Sequence, residues 1–172
     1  MRRIMAVATI VATLALAGAS DLFAQRRGFI IGFGLGPGVT SATRGGSEWS
    51  EWGVATDLKI GAQVSKSVQI YYLGRTNWVT PTDLVAAGIS ALGVTYVLPT
   101  APVHISGGLG LATFVPVCVS DCSETEAAGF GLTGGVGWEF ADLWLLDFAL
   151  TYGAPGDIHV FTARAGISIL SH

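Results

Sequence analysis

The chain has 172 residues, enough for one domain and a targeting segment. Of these residues 51% are hydrophobic and only 12% are charged, whereas soluble domains carry roughly 25% charged residues. The net charge of −3 and the small number of Lys and Arg residues exclude the basic surface that nucleic-acid binding requires. The composition therefore predicts a fold suited to a less aqueous solvent.

The N-terminus is typical of a secretory signal peptide. A positively charged start is followed by an apolar run over residues 4–17. Small residues allow cleavage after Ala19 or after Ala24. We expect residues 1–24 to be a cleaved signal peptide and residues 25–172 to form the folded domain. An uncleaved anchor helix is the alternative, and the short apolar run disfavours it.

After this segment, eight stretches alternate between large apolar and small or polar residues, with the period of two that is typical of a β-strand. No apolar run in them approaches the ~20 residues of a membrane-spanning helix. The pattern predicts an all-β fold, an eight-stranded antiparallel up-and-down transmembrane β-barrel. The eight stretches are residues 29–36, 52–64, 68–78, 91–98, 103–115, 129–140, 144–152 and 161–169.

The connections between these stretches alternate in length. Three tight turns are predicted at residues 65–67, 99–102 and 141–143. Four longer polar loops are predicted at residues 41–51, 76–85, 115–127 and 153–159. Short turns at one end and long loops at the other are typical of bacterial outer-membrane barrels, where they are periplasmic and extracellular respectively.

The two cysteines, Cys118 and Cys122, lie in the third predicted loop. In an exported protein such a pair predicts a local disulfide. A metal site would need further ligands, and no His lies in that stretch. The acidic residues Asp121, Glu124 and Glu126 make this loop the best candidate for an exposed contact surface.

The inward faces of the predicted strands carry balanced charge. An unpaired charge inside a barrel would cost several kcal/mol, so we expect these groups to form a lumenal network of ion pairs. A polar plug of this kind is favoured over a conducting path, because eight strands leave room only for side chains or one small ligand. The predicted network consists of Asp57, Lys59, Arg75, Glu139, Asp147 and Arg164.

Small residues dominate the inward faces of the first, fifth and sixth stretches. They are expected to relieve crowding in a narrow barrel, with a water-filled crevice or narrow ligand pocket as the alternative. On the outward faces, aromatic side chains lie near the predicted loops and turns, where girdles of rings are expected at the membrane interfaces. The predicted interface aromatics are Trp52, Trp78, Trp138 and Trp144, with Trp49 close to the first pair.

The whole pattern resembles the small outer-membrane β-barrel superfamily, of which OmpA- and OmpX-type domains are members. The resemblance implies insertion in the outer membrane, with its lipids and assembly machinery as partners. It further implies a structural or surface-interaction role, an extracellular partner bound through the loops, and no cofactor. The chain departs from the family at its C-terminus, residues 169–172, which lacks the usual final aromatic residue.

Two alternatives compete with this interpretation. His104 and Ser106 have the His-x-Ser spacing of the lipid A deacylases, so an envelope lipid-modifying enzyme is conceivable, with Glu139 as the orienting acid. Gly107 stands where those enzymes commonly have Asn, and the pair is expected to face inward near the periplasmic end. A soluble lipocalin-like ligand binder is the other alternative, and it would require an apolar lumen and a polar exterior.

Overall fold

The computed structural model describes residues 28–80, 84–116, 127–141 and 143–171. Within these ranges the chain contains eight β-strands, and no helix there is long and apolar enough to cross a membrane. The strands are β1 (Phe29–Arg44), β2 (Ser47–Ser65), β3 (Val68–Val79), β4 (Val85–Val97), β5 (Val103–Pro116), β6 (Ala127–Ala141), β7 (Trp144–Pro155) and β8 (Ile158–Ser171).

The strands form one closed barrel, in which each strand pairs antiparallel with the next and β8 pairs with β1. The predicted eight-stranded up-and-down barrel is therefore confirmed. The register shifts between Gln63 and Ser65 and between Glu139 and Ala141, in both cases beside a tight turn. Away from these two turns, side chains along each strand alternate between the lumen and the outside of the barrel.

Large apolar side chains cover the outside of the barrel. Phe33 and Leu35 on β1 are each 60% exposed, and Leu92 on β4 is 72% exposed. Because successive residues of a strand point to opposite faces, the same alternation directs glycines, hydroxyls and charged groups into the lumen. This exterior is the reverse of the polar one that the lipocalin-like alternative required.

Two apolar layers fill the lumen on either side of its polar middle. The lower apolar layer lies at the end where the chain enters and leaves the barrel, and consists of Ile30, Tyr71, Leu73, Leu145 and Leu170. The upper apolar layer lies at the opposite end. It consists of Ala42, Val79, Val85, Ala87, Phe114, Ile158 and Val160, with Trp49 packed against it.

Two of the four predicted long loops are wrong. In place of loops at residues 41–51 and 153–159, the strands continue and end in tight turns. The first turn places Gly45 and Gly46 at φ of 55° and 86°, and the second places Gly156 at 61°. Glycine adopts these left-handed values without the steric cost that a Cβ brings. Polar residues on both faces predict a loop, but the part of a strand that extends into water needs no apolar face.

The other two predicted loops are shortened by the strands that flank them. β3 runs to Val79 and β4 starts at Val85, while β5 runs to Pro116 and β6 starts at Ala127. Residues 81–83 and 117–126, which make up most of these connections, lie outside the described part of the chain.

Inward glycines make room for neighbouring groups. A Cβ on Gly110 would lie 1.9 Å from the backbone oxygen of Ser90 on the adjacent strand, and one on Gly93 would lie 2.5 Å from the ring of Tyr71. Real Cβ atoms do not approach other atoms so closely, and a backbone oxygen held in a strand cannot move aside. At these two positions the glycines relieve crowding.

Replacing Gly110 by Ala is expected to destabilise the folded barrel by about 1–3 kcal/mol, because the added methyl group overpacks against backbone. The matched control is Gly107→Ala on the same strand, where the Cβ would face outward with its nearest neighbour 3.9 Å away. The measurement is urea-induced unfolding in detergent, followed by tryptophan fluorescence. Equal stability of the two variants would contradict the crowding argument.

Candidate functional site

A cluster of four charged side chains spans the middle of the lumen. Asp57 on β2 is paired in register with Arg75 on β3, and Arg75 donates from Nε to Asp57 Oδ1 at 2.9 Å and from Nη2 to Oδ2 at 3.2 Å. Arg164 on β8 reaches the same carboxylate, with Nη1 lying 2.6 Å from Asp57 Oδ2. One carboxylate therefore lies between two guanidinium groups.

The second carboxylate of the cluster is Asp147 on β7. Arg164 Nη2 donates to Asp147 Oδ1, and the hydroxyl of Ser168 donates to Oδ2. On the other side, Arg75 Nη1 donates to the hydroxyl of Thr133 on β6 at 2.8 Å. The cluster thus links strands β2, β3, β6, β7 and β8 across the lumen.

This charge cluster is almost completely removed from solvent. The side chain of Arg164 is 1% exposed, and those of Asp57 and Arg75 are 8% and 10% exposed. Charges so deeply buried carry a large desolvation cost, which close pairing offsets. Arg164 Nη1 approaches Asp57 as an ion pair without hydrogen-bond geometry, and Arg164 Nε has no hydrogen-bond partner among the described residues.

Two further residues of the predicted network lie outside this cluster. Lys59 Nζ lies 4.4 Å from the centroid of the Tyr71 ring and makes no ion pair with a described residue. Glu139 likewise has no ion-pair partner in the described ranges. It lines a small cavity at the lower end of the barrel together with Lys59 and His104.

A hydrogen-bonded layer of neutral side chains lies between the charge cluster and the upper apolar layer. Asn77 Nδ2 donates to the hydroxyl of Thr40 at 2.7 Å, and the hydroxyls of Thr40 and Thr162 lie 3.1 Å apart. All three side chains are buried. None of the three belongs to the predicted network, although their alternation with outward residues is a usable signal.

A cavity of about 40 Å³ lies between the charge cluster and the lower apolar layer. One water needs roughly 10–15 Å³ of such volume, so the cavity has room for a few waters. Its polar lining comes from Asp57, Lys59, Arg75, His104, Ser106, Asp147 and Ser168.

The pair considered for lipid A chemistry does not form a catalytic arrangement. His104 is buried in the lumen, with its ring against Gly137. The Ser106 hydroxyl donates to the backbone oxygen of Gly135 at 3.4 Å rather than to the imidazole. Among the described residues, His104 has no carboxylate within hydrogen-bond distance.

The predicted interface aromatics lie on the outside of the barrel. Trp52 is 74% exposed, while Trp78 donates from its indole N–H to the hydroxyl of Thr56 at 3.0 Å. Trp138 and Trp144 also face outward beside the turn between β6 and β7. Trp49 is the exception, because its ring turns inward and packs 6.2 Å from that of Phe114.

The rim at the upper end is polar. Arg44 donates from Nε to Asp157 Oδ2 at 3.0 Å, and this hydrogen bond lowers the pKa of the Asp157 carboxyl. Both side chains are well exposed. Tyr152 and His159 form a further exposed contact, with 2.9 Å between the phenol oxygen and Nδ1.

Several predicted features lie outside the described residues. They are the signal peptide at residues 1–24, the Cys118–Cys122 disulfide, and the acidic side chains of residues 121–126. Within the described ranges no group of His, Cys, Asp and Glu side chains could hold a metal ion.

Replacing Arg164 by Met is expected to cost about 3–5 kcal/mol of unfolding free energy, because it leaves buried carboxylates short of a partner. The matched control is Arg44→Met, which removes an exposed ion pair and is expected to have no measurable effect. Urea unfolding of both variants in detergent measures the difference. Equal stability of Arg164→Met and the wild-type chain would contradict a structural role for the cluster.

Comparison with known proteins agrees with this architecture. No protein-family profile matches the chain, and no curated protein sequence matches it. Among solved structures, it is similar to Ail, the attachment invasion locus protein of Yersinia pestis, with a TM-score of 0.62, 11% identity, and coverage of 83% of this chain and 99% of that one.

Two other solved structures show the same likeness. Neisserial surface protein A (NspA) gives a TM-score of 0.57 at 15% identity, over 82% of this chain and 96% of that one. OprG, an outer membrane protein of Pseudomonas aeruginosa, gives 0.54 at 11% identity, over 85% and 97%. The chain has the fold of the small eight-stranded outer-membrane β-barrels.

Proposed function

We propose that this protein is an outer-membrane β-barrel whose closed lumen makes it a rigid scaffold for contacts at the cell surface. The apolar exterior carries the proposal. Monomeric soluble proteins rarely expose large continuous apolar surfaces, whereas a lipid-facing belt is expected of a membrane barrel. The shared fold of Ail, NspA and OprG supports the same location.

A transport role is disfavoured by the contents of the lumen. A permeating ion would have to pass the lower apolar layer, the charge cluster and the upper apolar layer in turn. The cluster joins five strands through short ion pairs and hydrogen bonds. The two cavities beside it are small, about 40 and 20 Å³. These features support a plug.

The proposed orientation follows from the longest connection, residues 117–126 between β5 and β6. The end that carries this connection would face outward, and the opposite end, with the turns after β2, β4 and β6, would face the periplasm. At that outer end β1 and β2 rise as a hairpin whose register runs from Phe29↔Ala62 to Arg44↔Ser47. Together with residues 117–126, it would offer the contact surface for an extracellular partner.

Export and insertion complete the proposal. The signal peptide would deliver the chain across the inner membrane, and the assembly machinery of the outer membrane would insert the barrel. No specific contact favours the enzymatic alternative, since Ser106 donates to backbone and His104 is buried against a glycine.

When the full chain is expressed with its signal peptide, the mature protein is expected in the outer-membrane fraction. Only detergent is expected to extract it from that fraction. A closed barrel resists SDS until it is heated, so unheated and boiled samples are expected to differ in electrophoretic mobility. In planar lipid bilayers the folded protein is expected to give no steady ion conductance, because the lumen is plugged.

Boiled protein and detergent alone serve as controls for the bilayer recordings. A freely soluble protein without a mobility shift would overturn the membrane assignment. Steady conductance from a protein that shows the shift would instead overturn the closed scaffold and favour a channel.

A further inference from the structure

The charges around the 40 Å³ cavity do not balance within the described residues. Lys59 and Arg75 line it with the carboxylates Asp57 and Asp147, and Arg164 contacts both carboxylates. Both guanidinium groups are paired, since Asp57 lies between them and Asp147 receives the second arm of Arg164. The excess positive charge therefore belongs to Lys59.

The ammonium group of Lys59 has a partial partner in the Tyr71 ring at 4.4 Å. The attraction between a cation and a ring face is weak compared with the desolvation cost of an isolated ion in a low-dielectric interior. The ring face alone does not offset burial of the charge. The Lys59 ammonium group therefore lacks an ion-pair partner among the described residues.

The 40 Å³ cavity beside Lys59 has the lining that an anion requires. Lys59, His104 and Ser106 line it. A neutral imidazole carries one N–H, whereas the Ser106 hydroxyl already donates to Gly135. Asp57 and Asp147 also line the cavity, but their oxygens already accept from Arg75, Arg164 and Ser168.

We propose that this cavity binds one small inorganic anion, such as chloride, against Lys59. The volume holds a small ion with one or two waters and excludes a sugar, a lipid or a large organic acid. The proposal concerns the lumen and does not depend on the surface role proposed for the loops.

Glu139 is the competing partner for Lys59. Both line a second cavity of about 20 Å³ at the lower end of the barrel, together with Gln69, Thr95 and His104. Lys59 and His104 line both cavities, so Glu139 lies close to the proposed site. A carboxylate in that position would weaken anion binding.

Thermal unfolding of the full mature chain in detergent tests the proposal. Sodium chloride replaces sodium gluconate at constant ionic strength, because gluconate is too large for the cavity. Ligand binding to the folded state raises stability by mass action. The unfolding temperature is expected to rise by about 3–6 °C for each tenfold increase of chloride above its dissociation constant.

Three variants separate the site from general salt effects. Lys59→Gln is expected to abolish the response to chloride, while Lys66→Gln, at an exposed turn, is expected to keep it. Glu139→Gln is expected to strengthen the response. No response in the wild-type chain, or an unchanged one in Lys59→Gln, would overturn the proposal, as would a weakened response in Glu139→Gln.

A second measurement does not depend on the folding of any variant. Crystals of the wild-type protein grown in sodium bromide would be measured by anomalous X-ray scattering. The expected result is a bromide peak within contact distance of Lys59 Nζ inside the barrel. Bromide peaks confined to the protein surface would be adventitious ions only, and would overturn the proposal.

Discussion

The structure depends on one interaction, the Asp57 carboxylate shared by Arg75 and Arg164. An eight-stranded barrel is too narrow for a water-filled channel, so its interior must be filled with side chains that satisfy one another. Charges in that position are stable only when they are closely paired. The register pairs Asp57 with Arg75 across two neighbouring strands, and Arg164 closes the arrangement from β8.

The remaining lumen is arranged around this cluster. Apolar layers above and below exclude water and strengthen its electrostatic interactions. Inward glycines such as Gly93 and Gly110 allow rings and neighbouring strands to approach closely. Outside the barrel the alternation continues as an apolar surface, so the same period of two builds a polar interior and a lipid-compatible exterior. The proposed surface role follows from this division, since a plugged lumen leaves the ends of the barrel for contacts.

Much of this arrangement could be predicted from the sequence. Alternation placed Asp57, Arg75 and Arg164 on inward faces, because the strand period fixes the face of every residue. The same period places Ile30 and Leu145 on inward faces, but it does not show that apolar side chains from several strands meet there in one layer. Alternation did not predict the hairpin at Gly45 and Gly46, where a pair of glycines between alternating residues is a usable turn signal.

The side-chain contacts in the lumen could not be predicted, because they depend on the direction of each side chain. His104 and Ser106 share a face without hydrogen bonding to each other, and Lys59 contacts a ring where an ion pair was expected.

A double-mutant cycle on Asp57 and Arg164 tests the central claim most directly. The variants Asp57→Asn, Arg164→Met and the combination of both would be unfolded with urea in detergent beside the wild-type chain. Residues in one buried network typically couple by about 0.5–3 kcal/mol. The shared carboxylate predicts a coupling free energy in the upper half of that range, with the double variant losing far less than the sum of the single losses. Additive losses would show that the two side chains do not act as a pair, and would contradict the account.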